Sequence, residues 1–168
     1  MLDFNAGNRY NINMKAIVQP LRDKSQTGKS LYDTVYRFSD DCRKCRVLYK
    51  SNLVPFSALS LSGAFDYVRK LPYRRDGRPV EVVARPKYIL SWPAIGYDCK
   101  KKGILMASWL HLHGIPFRFM TLSRLPSGRI HHVYPQAWLN GAWRNVDATY
   151  AEYQLFEPKE ATNAEVLT

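Results

Sequence analysis

Between Asp98 and Gly114 lies a segment that is apolar on most sides when wound at helical spacing, with Ile104, Leu105, Ala107, Leu110 and Leu112 facing all round. Such a helix has no face to give to solvent, so the rest of a domain must pack around it. Asp98 can cap its start, Gly114 closes it and Pro116 prevents its continuation. Residues 117 to 122 then read as extended chain. Phe117, Phe119 and Thr121 alternate with Arg118, Met120 and Leu122, and Pro126-Ser127-Gly128 makes a turn. Two further strands, 131 to 139 and 142 to 148, are joined by Asn140-Gly141, the strongest short hairpin signal. Before the central helix, Ala58, Leu61, Phe65 and Val68 recur at helical spacing from Ser57 to Leu71, with Ser57 or Ser60 as cap and Pro72 as stop. Helices first, then a helix feeding an antiparallel sheet, describe an α+β domain.

The other segments are less regular. Residues 1 to 56 hold short apolar pieces, Ala16-Ile17-Val18 and Leu31 to Phe38, among turn-forming residues, and read as strands or an irregular arm of the same unit. Tyr73 to Val83 carries the turn Arg75-Asp76-Gly77 and reads as an extended stretch or hairpin, and Pro86 to Pro93 as a proline-punctuated connection. Residues 57 to 157 thus form the expected core, and 158 to 168 a C-terminal tail. The TGKS at 27 to 30 is not a phosphate loop, because Asp23 stands where the first glycine of that motif belongs.

A chain of 168 residues with 46% hydrophobic content can build one core, and no run approaches the roughly 20 apolar residues of a membrane span. The start lacks a secretory pattern, and three cysteines are too few to staple the domain, so reduced thiols in a cytoplasmic setting are expected. The net charge of +11 is concentrated between Arg69 and Lys102. That stretch can attract an acidic or anionic partner, while the absence of a nucleic-acid-reading motif argues against nucleic acid as the main one. Cys42 and Cys45 form a CxxC, but a structural zinc needs about four ligands and no second pair follows. His111 and His113 lie two apart on one helix and face different sides, so no metal or other cofactor is expected.

The remaining cysteine is different. Cys99 follows the cap Asp98, and the first turn of a helix supplies free N–H groups and a positive dipole end that favour a thiolate. Lys100, Lys101 and Lys102 add positive charge beside it. If Asn140-Gly141 is a two-residue loop, Tyr134 lies opposite Asp147 and Trp138 opposite Trp143. His132 then shares the face of Asp147, within side-chain reach, and His131 takes the other face. Pro135 is the weak point, because a bulge there would exchange the two faces. Cys99 as nucleophile, His132 as base and then acid, and Asp147 as orienter make a consistent proton relay.

Three blocks of the chain resemble the transglutaminase-like superfamily. ARPKYIL followed by GYDCKKKGILMASWLHLHGIPFRF is similar to its nucleophile block, HVYPQAWLNGAWRN to its His-bearing hairpin, and VDATY to its Asp-Pro-Thr ending. The resemblance implies a papain-like core and a cysteine enzyme that hydrolyses or transfers acyl groups of protein or peptide substrates through a thioester. It also assigns the catalytic roles to Cys99, His132 and Asp147. Tyr97, the three lysines and Ala148 depart from the usual pattern, and no motif identifies an oxyanion donor; the Cys99 N–H, Trp92 and Gln19 are the candidates. A short basic chain of this kind resembles the phage branch, which would place it in a bacterial host's cytoplasm or a virion. The alternative function is then a catalytically silent structural or adaptor protein that keeps the fold.

Overall fold

The computed structural model describes residues 17–18, 24–77, 82–124, 127 and 130–168. In chain order these form β1 (Ile17–Val18), α1 (Lys24–Phe38), α2 (Asp41–Lys44), β2 (Arg46–Tyr49), β3 (Asn52–Pro55), a 3-10 turn (Phe56–Ala58) and α3 (Leu61–Lys70). They continue with β4 (Val82–Val83), α4 (Pro86–Ser91), a second 3-10 turn (Pro93–Ile95), α5 (Cys99–Leu112), β5 (Phe117–Ser123), β6 (His132–Leu139), β7 (Ala142–Asn145) and β8 (Asn163–Leu167). The fold is α+β: a four-stranded antiparallel sheet in the order β7-β6-β5-β8, with α5 packed on it. Two small antiparallel pairs, β1 with β4 and β2 with β3, lie apart from that sheet.

Helix α5 occupies the centre that its sequence demands. Ile104, Leu105, Met106, Ala107 and Leu110 are fully buried, and each large apolar side chain so removed from water contributes roughly 1.5–3 kcal/mol. One flank of α5 packs with Phe56, Leu59, Phe65, Val68 and Ile89 from the preceding elements. The other packs with Leu31 and Val35 of α1 and with Phe119, Val133 and Leu167 of the sheet. The ends are capped as the sequence implies: Asp98 accepts the Lys101 N–H at 3.1 Å, and Ser60 accepts that of Gly63 at 3.1 Å to open α3. Gly114 follows α5 with φ +66°.

The hairpin is built as its turn dictates. Asn140 and Gly141 both take positive φ, +52° and +76°, and set Trp138 opposite Trp143 and Gln136 opposite Asn145. Pro135 makes no bulge. Its carbonyl accepts the Val146 N–H at 2.9 Å, but it has no N–H to return, so the ladder stops and Asp147 leaves the ribbon.

Four segments differ from the sequence reading. The strand expected from 142 to 148 ends at Asn145, so Asp147 does not pair with Tyr134 in the ladder. Leu31 to Phe38 is helical, within α1, because its buried residues Leu31 and Val35 stand four apart rather than in alternation. Pro86 to Ser91 is a helix with Pro86 at its first position, where the missing N–H costs nothing. Residues 163 to 167, in the expected tail, form β8 and pair with β5 from Phe119–Leu167 to Ser123–Asn163. Of the expected turns, residues 78–81 of the first and Pro126 and Gly128 of the second lie outside the described residues, as does Ala16.

Candidate active site

Cys99 opens α5, and its N–H belongs to the first turn, which has no intrahelical acceptor. The positive end of the helix therefore lies at the sulfur's own turn. The thiol is 6% exposed and borders a cavity of about 230 Å³ that is also lined by Thr27, Lys100, Thr121, His131, His132 and Leu167. His132 is the first residue of β6, held by pairing with Leu122 of β5. Its Nε2 lies 2.7 Å from Asp147 Oδ2, and its ring lines the same cavity as the Cys99 thiol, close enough for the sulfur to raise the imidazole pKa. With Nε2 taken by the carboxylate, Nδ1 is the nitrogen left for sulfur.

All three sequence-predicted residues thus meet, and His132 rather than His131 is the histidine involved. His131 stands exposed just before the strand, at the mouth of the same cavity. Asp147 is 2% exposed, and its Oδ1 accepts the Thr149 N–H at 3.2 Å, which fixes the carboxylate plane behind the imidazole. The ring of His132 stacks on Tyr134 at 5.6 Å and on Tyr150 at 6.5 Å, and Tyr150 in turn contacts Tyr73 at 4.8 Å.

The electrostatics follow from this enclosure. Burial disfavours the imidazolium of His132, but the bond to Asp147 and the nearby Cys99 sulfur outweigh it and raise the pKa to about 9. Burial likewise works against the Asp147 carboxylate, and the His132 hydrogen bond and charge prevail to hold it below the usual range. Both shifts favour an imidazolium beside a carboxylate.

The three lysines after Cys99 do not stand as a free cationic flank. Lys100 pairs with Asp98 at 2.9 Å, and Lys101 with Asp76 at 2.5 Å and Asp98 at 3.5 Å. Lys102 is buried among backbone carbonyls. Other cations of the basic stretch are also engaged: Arg69 and Lys70 with Asp66, and Arg85 with Asp41. Arg74 and Arg75 remain exposed beside Tyr73.

Of the oxyanion candidates, Gln19 lies outside the described residues, and Trp92 sits at the end of α4, where its carbonyl accepts the Tyr97 hydroxyl at 2.7 Å. The CxxC cysteines are both free, and burial pushes both thiols up. Among the described residues no His, Cys, Asp and Glu cluster could hold a metal, and no helix is long and apolar enough to cross a membrane. Sequence reasoning missed Lys159, whose Nζ lies 3.3 Å from Asp147 Oδ2. Nothing local marks it, because it arrives from beyond the hairpin.

No family model matches the chain, and no curated protein matches it significantly. Among solved structures it is similar to the crystal structure of a protein from Cytophaga hutchinsonii described as a "Putative Cysteine Protease". The identity is 15% and the TM-score 0.43, over 88% of this chain and 52% of that one. The chain therefore spans about half the length of that protein.

Proposed function

We propose that this chain is a cysteine enzyme of the transglutaminase-like kind, with a papain-like core, that acts on amide bonds of protein or peptide substrates. The observation that supports it is one imidazole, His132, meeting Cys99 on one side and the buried Asp147 on the other. The Cys99 thiolate attacks the amide carbon, and the developing oxyanion is within the chemistry of the Cys99 N–H at the helix start. As the C–N bond breaks, the His132 imidazolium gives its proton to the leaving amine, and a thioester remains on Cys99. Water then adds to the thioester carbon and passes its proton to His132, and the C–S bond breaks to release the acid. An amine in place of water gives transamidation by the same steps. Asp147 keeps the Nε2 proton on its side of the ring throughout, so that Nδ1 serves the sulfur. Exposed Arg74 and Arg75, next to the tyrosines that lead to His132, suit a substrate with acidic side chains near its scissile amide.

Iodoacetamide at neutral pH tests the reading. Cys99 should be alkylated faster than Cys42 or Cys45, whose thiols are held protonated by burial. Equal labelling of the three would remove the basis for an activated nucleophile. If the protein's biological role survives Cys99→Ala, a silent adaptor replaces the enzyme.

A further inference from the structure

Lys159 lies on the chain that runs from the hairpin to β8, and its side chain is only 4% exposed. Its Nζ lies 3.3 Å from Asp147 Oδ2, the same oxygen that binds His132, and 3.7 Å from Glu157 Oε2. It also stands 3.1 Å from the centre of the Tyr153 ring. This ammonium makes no hydrogen bond among the described residues. Lys102, the other deeply buried lysine nearby, shows the ordinary solution, with its Nζ on the carbonyls of Leu71 and Thr149. Lys159 instead faces two carboxylates and the negative face of a ring, an arrangement that serves charge rather than hydrogen bonding.

The proton relay explains why a second cation is needed there. Asp147 is buried, and it is paired with an imidazolium only until His132 gives its proton to the leaving group. From then until the thioester is resolved, a neutral ring faces a buried carboxylate, which by itself would take up a proton and lose its hold on the Nε2–H tautomer. We infer that Lys159 is a positioning residue that keeps Asp147 ionised and aimed at His132 while the imidazole is neutral. The inference rests on the proposed relay through Cys99, His132 and Asp147. The other groups facing Asp147 are His132 and Tyr134 from β6, Lys102 from α5, and Thr149 and Tyr153 from its own loop. Of the two lysines, only Lys159 makes an ion pair with the carboxylate.

The test is the rate of Cys99 alkylation by iodoacetamide between about pH 5 and about pH 10, with the labelled peptide identified by mass. In the parent protein the His132 transition should appear near pH 9. Two cations share one carboxylate oxygen, so Lys159→Met should raise that transition by roughly half a pH unit or more, whereas Asp147→Asn should lower it. If Lys159 acts through Asp147, adding Lys159→Met to the Asp147→Asn variant should produce no further shift. A Lys159→Met protein with an unmoved transition, or a shift that persists when residue 147 is Asn, overturns the inference. An unmoved transition in Asp147→Asn itself overturns the relay and this inference together. Thermal melting establishes that each variant is folded; should Lys159→Met unfold, Lys159→Gln takes its place with the same expected direction.

Discussion

Lys102 is 1% exposed, yet it is a lysine, and its ammonium is spent on structure. It bonds the carbonyl oxygens of Leu71 at 2.6 Å and Thr149 at 2.8 Å, with that of Arg69 at 3.4 Å, so that one side chain ties α5 to the end of α3 and to the loop after Asp147. Burial lowers its pKa to about 8, with the charges of Asp147 and Glu152 opposing. The sign of the consequence is fixed by linkage: as pH rises from 8 towards the ordinary lysine value of about 10.4, the native chain sheds this proton before the unfolded one does. The cost of the buried charge is present below pH 8 and is relieved above it. Relative to Lys102→Met, the parent protein should gain about 3 kcal/mol between neutral pH and about pH 10.5, read from urea midpoints of both proteins. A pH-independent difference would mean that the amine is neutral or fully compensated in the native state.

At the scale of elements, the approach of two segments at Gly96 builds one wall of the site. With φ +86° and ψ 147°, Gly96 occupies a region closed to other residues, and a Cβ there would stand 2.9 Å from Arg74 Cβ. This lets the Tyr97 N–H reach the Pro72 carbonyl at 2.8 Å and brings Tyr73 alongside, towards Tyr150. Gly96→Ala should cost roughly 1–3 kcal/mol in denaturant unfolding and should change the Cys99 alkylation rate, since the displaced wall leads through Tyr73 and Tyr150 to His132. The elements legible in the sequence were those with a strong local signal. Asn140-Gly141 fixed the hairpin register as far as Asn145, and Asp98 and Gly114 bounded α5; the meeting of His132 with Asp147 lies beyond the ladder that this register sets. Helix α1 was not legible, because the β-branched and aromatic residues of Leu31 to Phe38 fit either period until a core selects one. Helix α4 was hidden by Pro86, which reads as a breaker unless it falls on the first turn. The fate of Lys101 and Lys102 was invisible too, since Asp76 and the carbonyls that take their charge come from distant parts of the chain.

For the molecule as a whole, β8 joins what the sequence separates. It closes the β5 edge of the sheet, places Leu167 at 1% exposure between α1 and α5, and begins shortly after Lys159. The site and the core thus share one closing element. Leu167→Ala should destabilise the fold by about 2–5 kcal/mol and, by loosening the segment that carries Lys159, slow the alkylation of Cys99 in the same samples. A stable variant with unaltered thiol chemistry would separate β8 from the site. The three successive lysines after Cys99 have a last consequence for any polyanion that approaches. Their ammonium groups are already committed to Asp98, Asp76 and backbone oxygens, so they are poor phosphate contacts. Little condensed counterion would be released by these three ammonium groups on such an approach.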